Sequence, residues 1–150
     1  MIPATLTISA ESSRSTHSNT LKVGLIGYGG RGSKATEETL NTDPNVVLTA
    51  MADVFDDQLE TSYRRLKEKF PQKVQVSPDK KFIGLDAYQK LIDSDVDVVL
   101  LAAPPAFRPD HLEYAVNAGK HLFCEKPFAV DGPGLRRATQ IGRASCRERV

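Results

Sequence analysis

The chain has 150 residues, 40% of them apolar and 26% charged, with 20 basic against 19 acidic side chains. That composition suits one soluble globular domain around a single core, and without a basic excess there is no footprint for a nucleic acid. The longest apolar run, around Val98 to Phe107, is interrupted by two prolines and is too short to cross a membrane, while the two cysteines, Cys124 and Cys146, offer neither a disulfide framework nor a metal-ligand spacing.

Residues 1–20 are rich in Ser and Thr and show no sustained periodicity, which reads as a flexible leader. The basic and apolar regions of a secretory signal are missing, so a cytoplasmic protein is expected; were Met1 to Ala10 the end of a longer signal, the protein would be exported instead. Leu21 to Ile26 is short, largely apolar and bounded by glycine, the pattern of a buried strand. Directly behind it, Gly27-Tyr28-Gly29-Gly30-Arg31-Gly32 fits G-x-G-x-x-G at Gly27, Gly29 and Gly32. The first glycine of that pattern allows a tight turn, the second lets the backbone approach a pyrophosphate, and the third lets the next helix sit close to the sheet. The free N–H groups at that helix's N-terminus then hold the phosphates. A plain glycine-rich turn has the same local pattern, so the rest of the chain decides.

A helix is expected over about Arg31 to Leu40, a turn over Asn41 to Asn45, and a second strand over Val46 to Ala52. Asp56 to Phe70 carries Leu59, Tyr63, Leu66 and Phe70 at helical spacing, with a charged outer face that reads as solvated surface, a basic patch for a partner being the lesser alternative. After Pro71 come a short third strand over Val74 to Val76, a loop over Pro78 to Leu85, and a helix with Tyr88, Leu91 and Ile92 that Asp86 can cap. Val96 to Ala103 is a near-continuous apolar fourth strand, stopped by Pro104-Pro105. A helix over Asp110 to Ala118 with Gly119 at its C′ position leads to a fifth strand, His121 to Cys124, and Asp131 opens another helix. Strands and helices alternating at this rhythm make βαβ units and a doubly wound parallel α/β sheet.

Asp53 falls 21 residues after Gly32, at the end of the second strand, where the dinucleotide fingerprint has its ribose-binding acid. A carboxylate accepts hydrogen bonds from both ribose hydroxyls and repels the 2′-phosphate of NADP, and no Arg or Lys follows at once to neutralise that phosphate. NAD is therefore expected over NADP. The competing reading is an N-cap for the next helix, by Asp53 or Asp56. Ala103-Pro104-Pro105 ends the fourth strand at the ligand-binding edge of such sheets, either as a wall of the groove or as a strand terminator. Glu125-Lys126-Pro127 holds the corresponding place after the fifth strand, where an ammonium can assist loss of a substrate proton; a solvated surface pair is the alternative. Cys124 reads as a buried structural thiol, having no paired base in the sequence.

Together with Asp95-Val96-Asp97-Val98-Val99, these segments resemble the N-terminal domain of the glucose–fructose oxidoreductase/inositol dehydrogenase/rhizopine-catabolism (Gfo/Idh/MocA) family across Val23 to Ala138. The most distinctive match is Ala118-Gly119-Lys120-His121-Leu122-Phe123-Cys124-Glu125-Lys126-Pro127 to the family's A-G-K-H-V-x-x-E-K-P, with Leu122 a conservative departure. The resemblance implies a Rossmann domain, here incomplete, followed by an α/β domain beyond Gln140 that builds much of the sugar pocket and the subunit interface of a homo-oligomer. It implies an NAD-dependent oxidoreductase of a sugar or polyol and also allows a redox-assisted glycosidase; the rival readings from other classes are a non-catalytic NAD or sugar sensor and a methyltransferase with a related glycine-rich loop. Gly27, Tyr28, Gly29, Gly30, Arg31, Gly32, Asp53, Ala103, Pro104, Pro105, Glu125 and Lys126 would form the cofactor site. Lys126 would be catalytic with an Asp and a His lying further along the chain, so this stretch alone lacks a complete catalytic set. His111 falls where relatives often carry a histidine near the active-site edge, the alternative being a helix-surface residue.

The last ten residues, Ile141 to Val150, resemble the conceptual translation of a short-read sequencing adapter. They read as a non-native tail, leaving 21–140 as a truncated dinucleotide-binding domain. Without Arg143, Arg147, Arg149 and Glu148 the formal charge turns from +1 to slightly negative.

Overall fold

The computed structural model describes residues 20–147; the expected leader, Thr20 apart, lies outside them. Five strands form one parallel sheet: β1 (Leu21–Ile26), β2 (Val46–Asp53), β3 (Lys81–Ile83), β4 (Val98–Leu101) and β5 (His121–Cys124). Their spatial order is β3-β2-β1-β4-β5. Every pairing is parallel, so each connection must cross over a face of the sheet. Helices α1 (Gly30–Thr42) and α2 (Asp56–Lys69) do this on one face, α3 (Ala87–Ile92), α4 (Arg108–Asn117) and α5 (Gly132–Arg147) on the other. Right-handed crossovers force that division, because the chain moves outward from β1 to β3 and then returns past it to β4 and β5. The result is the doubly wound α/β sheet expected from the alternation, with the strand order of a Rossmann fold.

Two cores follow from the two layers. On the α1/α2 side, Leu40, Leu59 and Leu66 pack on Val23, Leu25, Leu48 and Met51. On the other, Leu91, Ile92, Leu112 and Ala115 pack on Ile26, Ala52, Val99 and Leu101. A fully buried side chain of this size contributes roughly 1.5–3 kcal/mol. Helix α5 continues through Gln140 without a break to Arg147, and Ile141 belongs to the second core.

The edge strand beside β2 differs from its expected position. Val74 makes a single bridge to Leu48 rather than a strand over Val76, while Lys81 to Ile83, expected as loop, pairs with Met51, Ala52 and Asp53. Both valines are buried, so the apolar signal was real. The turn Pro78–Lys80 interrupts the edge, and its proline cannot donate to a ladder. Strand β4 is shorter than the apolar run, and α4 starts two residues earlier than Asp110, since Pro109 is tolerated within a first helical turn. Asp86 precedes α3 without capping it; its carboxylate pairs with Lys90 at 2.8 Å. Gly119, at φ +68°, closes α4 as expected: its N–H donates to the Val116 carbonyl and the Lys120 N–H to that of Ala115, a full Schellman motif.

Candidate functional site

The strand order reverses between β1 and β4, and a groove of about 510 Å³ opens there at the carboxyl ends of the strands. Its walls are the ends of β1 (Ile26 to Gly29), β2 (Ala52 to Phe55) and β4 (Ala102 to Pro104), with Leu85, Tyr88, Phe107, Arg108 and His111 from the α3 and α4 side. A topological switch point of this kind is where open α/β sheets bind ligands.

The three motif glycines meet three different physical demands. Gly27 sits at φ +93°, and a Cβ there would lie 2.4 Å from the Ala103 nitrogen. At Gly32 a Cβ would lie 2.1 Å from the Gly27 carbonyl oxygen, so α1 can approach the strand ends only without a side chain. At Gly29 and Gly30 it would meet nothing within 4 Å. Folding therefore requires the outer glycines but not Gly29, whose open space lines the groove. Its N-cap, Gly29, has no side chain to cap α1, and the first turn holds no carboxylate, which leaves the positive end of the helix available to an anion. Tyr28 turns its ring into the core, with the hydroxyl donating to the Leu25 carbonyl; only its backbone faces the loop. Beneath, Ser62 donates to the Tyr28 carbonyl and Ser33 to Ser62, a buried polar link between α1, α2 and the loop that the sequence did not disclose.

Asp53 accepts the Tyr28 N–H at 2.7 Å and the Phe55 N–H at 3.0 Å, one on each carboxylate oxygen. It thus buttresses the glycine loop while half-exposed at the groove wall. The capping alternative does not hold: Phe55 is the N-cap of α2, no side chain caps that helix, and Asp56 lies inside it. Ala103 and Pro104 line the groove, whereas Pro105 faces a smaller hollow beside α5.

Beyond β5, Glu125 is 4% exposed and its carboxylate meets the Arg31 guanidinium at 2.9 Å, tying this segment to the first turn of α1. The hydrogen bond to Glu125, and then its charge, raise the Arg31 pKa above its ordinary value. Lys126 is exposed, and its ammonium has no ion-pair or hydrogen-bond partner among the described residues. Cys124 is half-buried and burial raises its thiol pKa, against any role as a nucleophile.

Two residues here carry more than the sequence indicated. Arg108 is 5% exposed and donates to three backbone carbonyls around the site. A basic residue wedged in the Pro-Pro-Ala-Phe-Arg-Pro stretch, where the chain is otherwise apolar, was the available signal. His111 is no surface residue: it is 8% exposed and stacks on Tyr88 at 4.2 Å, its Nδ1 buried without a partner among the described residues. Burial lowers its pKa to about 4, against the opposing pull of Asp110, so the ring is neutral at physiological pH.

A switch-point groove with an uncapped helix terminus, an open motif glycine and a carboxylate ending β2 defines a dinucleotide-binding domain, and these residues fit a nicotinamide dinucleotide. The profile of the Gfo/Idh/MocA oxidoreductase family, described as an NAD-binding Rossmann fold, matches residues 21–145. The chain belongs to this family. It is 30% identical over 122 residues to inositol 2-dehydrogenase of Salmonella typhimurium, covering 81% of this chain and 33% of that one. It is 32% identical over 113 residues to glycosyl hydrolase family 109 protein 1 of Bacteroides thetaiotaomicron, covering 74% and 23%. Among solved structures, myo-inositol 2-dehydrogenase from Lactobacillus plantarum superposes with a TM-score of 0.66 at 26% identity, covering 84% of this chain and 34% of that one. The chain thus spans about a third of the length of the inositol dehydrogenases it matches. No helix among the described residues is long and apolar enough to cross a membrane.

Proposed function

We propose that this chain is the cofactor-binding part of a dehydrogenase that oxidises a secondary hydroxyl of a sugar or polyol with NAD. The observation that carries the reading is the set of groups at one edge of the sheet: open Gly29 after β1, Asp53 ending β2, and Lys126 after β5, unpaired among the described residues. The backbone at Gly29 and Gly30 and the N-terminus of α1 hold the pyrophosphate, and Asp53 accepts the ribose hydroxyls. Val54 and Phe55, which follow it, supply no cation for a 2′-phosphate, which favours NAD over NADP. The nicotinamide, when bound, supplies a hydride acceptor. Lys126 donates a hydrogen bond to the substrate hydroxyl, favouring its deprotonated form while a base from the later part of the enzyme takes the proton. Glu125, held by Arg31, fixes the start of that segment.

A homo-oligomeric, cytoplasmic enzyme and a division into leader 1–20, domain 21–140 and non-native tail 141–150 belong to the same reading. The glycosyl hydrolase relative favours a second one, in which transient oxidation loosens a glycosidic leaving group. The test is titration calorimetry with NAD and NADP, followed by assay of the full-length enzyme with myo-inositol and with nitrophenyl glycosides. NAD binding tighter than NADP, with net NADH formation, supports the dehydrogenase. Glycoside cleavage without net NADH supports the second reading, and a folded protein that binds neither dinucleotide overturns both.

A further inference from the structure

We propose that Arg108 is a positioning residue for Lys126, its buried guanidinium fixing the backbone on both sides of that lysine. The inference rests on the reading of Lys126 as a proton-handling group. Arg108 opens α4 and lies under the ends of β4 and β5. Its Nε donates to the Ala103 carbonyl at 2.8 Å, and Nη1 donates to the carbonyls of Glu125 and Pro127, each at 2.5 Å. One nitrogen therefore grips the residue before Lys126 and the residue after it, while the other nitrogen ties that grip to the strand forming the groove wall.

Burying a guanidinium without a carboxylate beside it is costly, and among the described residues Arg108 makes no ion pair. The cost is offset by charge-assisted bonds to carbonyls that, on an edge loop, would otherwise face solvent or stay unmet. The geometry needs arginine, because a planar fork reaches acceptors in separate directions and an ammonium acts as a single point. From above, the Glu125 carboxylate is held by Arg31. Backbone and flanking side chain are thus fixed, while the exposed Lys126 ammonium between them has no partner among the described residues. Precise placement of such a group governs its effect on turnover. Arg108 also lines the groove, so direct contact with the cofactor is the competing role.

The test uses the full-length enzyme with Arg108→Gln and Arg108→Lys, each also combined with Lys126→Met. Hydrogen exchange of residues 124–130 in Arg108→Gln should accelerate by about tenfold or more while residues 27–33 stay unchanged. Turnover of myo-inositol should fall by about tenfold or more, with NAD affinity within about twofold of wild type. Arg108→Lys, which keeps the charge without the fork, should fall between the two and covers the case in which the glutamine variant does not fold. In the Lys126→Met background, Arg108→Gln should remove nothing further from kcat, because the effect passes through the lysine. Unchanged exchange, equal kcat losses in both backgrounds, or a loss confined to NAD affinity would each overturn the proposal. A Lys126→Met enzyme that turns over at the wild-type rate is a different result, which overturns the functional reading itself.

Discussion

Within one six-residue motif, two glycines that look equivalent in the sequence have opposite duties. Gly32 has the Gly27 carbonyl 2.1 Å from where a Cβ would stand, whereas Gly29 has open space. Gly32→Ala should therefore cost the fold, and Gly29→Val should leave the melting temperature within a few degrees while weakening NAD by at least about tenfold. Calorimetric titration beside thermal melting separates the two outcomes. Asp53 has two tasks, since both its oxygens already hold backbone N–H groups of the loop. Asp53→Asn keeps one acceptor and removes the charge, so NAD affinity should fall by about tenfold while NADP affinity holds or improves. Parallel losses for the two dinucleotides would make Asp53 a loop buttress alone.

Helix α4 shows how an element can couple a site to the core. Its first turn supplies Arg108 to the Lys126 segment, and its next supplies His111 to the stack with Tyr88 of α3. The neutral His111 ring is a source of acid sensitivity. Its folded pKa of about 4 lies below the ordinary 6.5, so the unfolded chain takes up a proton first and stability falls as pH drops from 6.5 toward 4. The loss attributable to this group is about 2 kcal/mol at pH 5. His111→Phe retains an aromatic stack without the titration. Urea unfolding at pH 7.5 and pH 5 should show that variant losing about 2 kcal/mol less than wild type; equal losses would place the acid sensitivity elsewhere.

Over the whole molecule, the two sheet edges are managed differently. Beside β2 the edge is broken into the Val74 bridge and the short β3, separated by Pro78. At the other end β5 pairs only with β4 among the described residues, Phe123 on it is 51% exposed, and Phe128 and Val130 further along the chain are exposed as well. An apolar edge of this kind favours self-association. Phe123→Lys in this chain should reduce concentration-dependent association in sedimentation velocity without changing NAD affinity. In the full-length enzyme, Lys126→Ala should lower kcat by about a hundredfold while NAD affinity changes little, measured by steady-state kinetics and titration. A normal rate would return Lys126 to the solvated surface.

Local pattern by itself determined the alternation of strands and helices, the glycine motif and the Ala118 to Pro127 signature, because each depends on spacing within a few residues, and the acid ending β2, because one helix and one strand of ordinary length separate it from the glycine motif. It also determined the Gly119 helix stop, whose geometry needs only its own turn. The third strand lies at Lys81 to Ile83 and not at Val74 to Val76, because two short segments compete for one edge and pairing with Met51 to Asp53 decides between them. Tertiary structure alone decided what α4 brings to the site. The return of the chain to β5 places Glu125 and Pro127 over Arg108, on which the sequence pattern is silent, and the packing of α3 places Tyr88 over His111, for which the helix surface was the alternative. Burial and long-range hydrogen bonds are set by which distant segments meet, and no spacing within the chain encodes that locally.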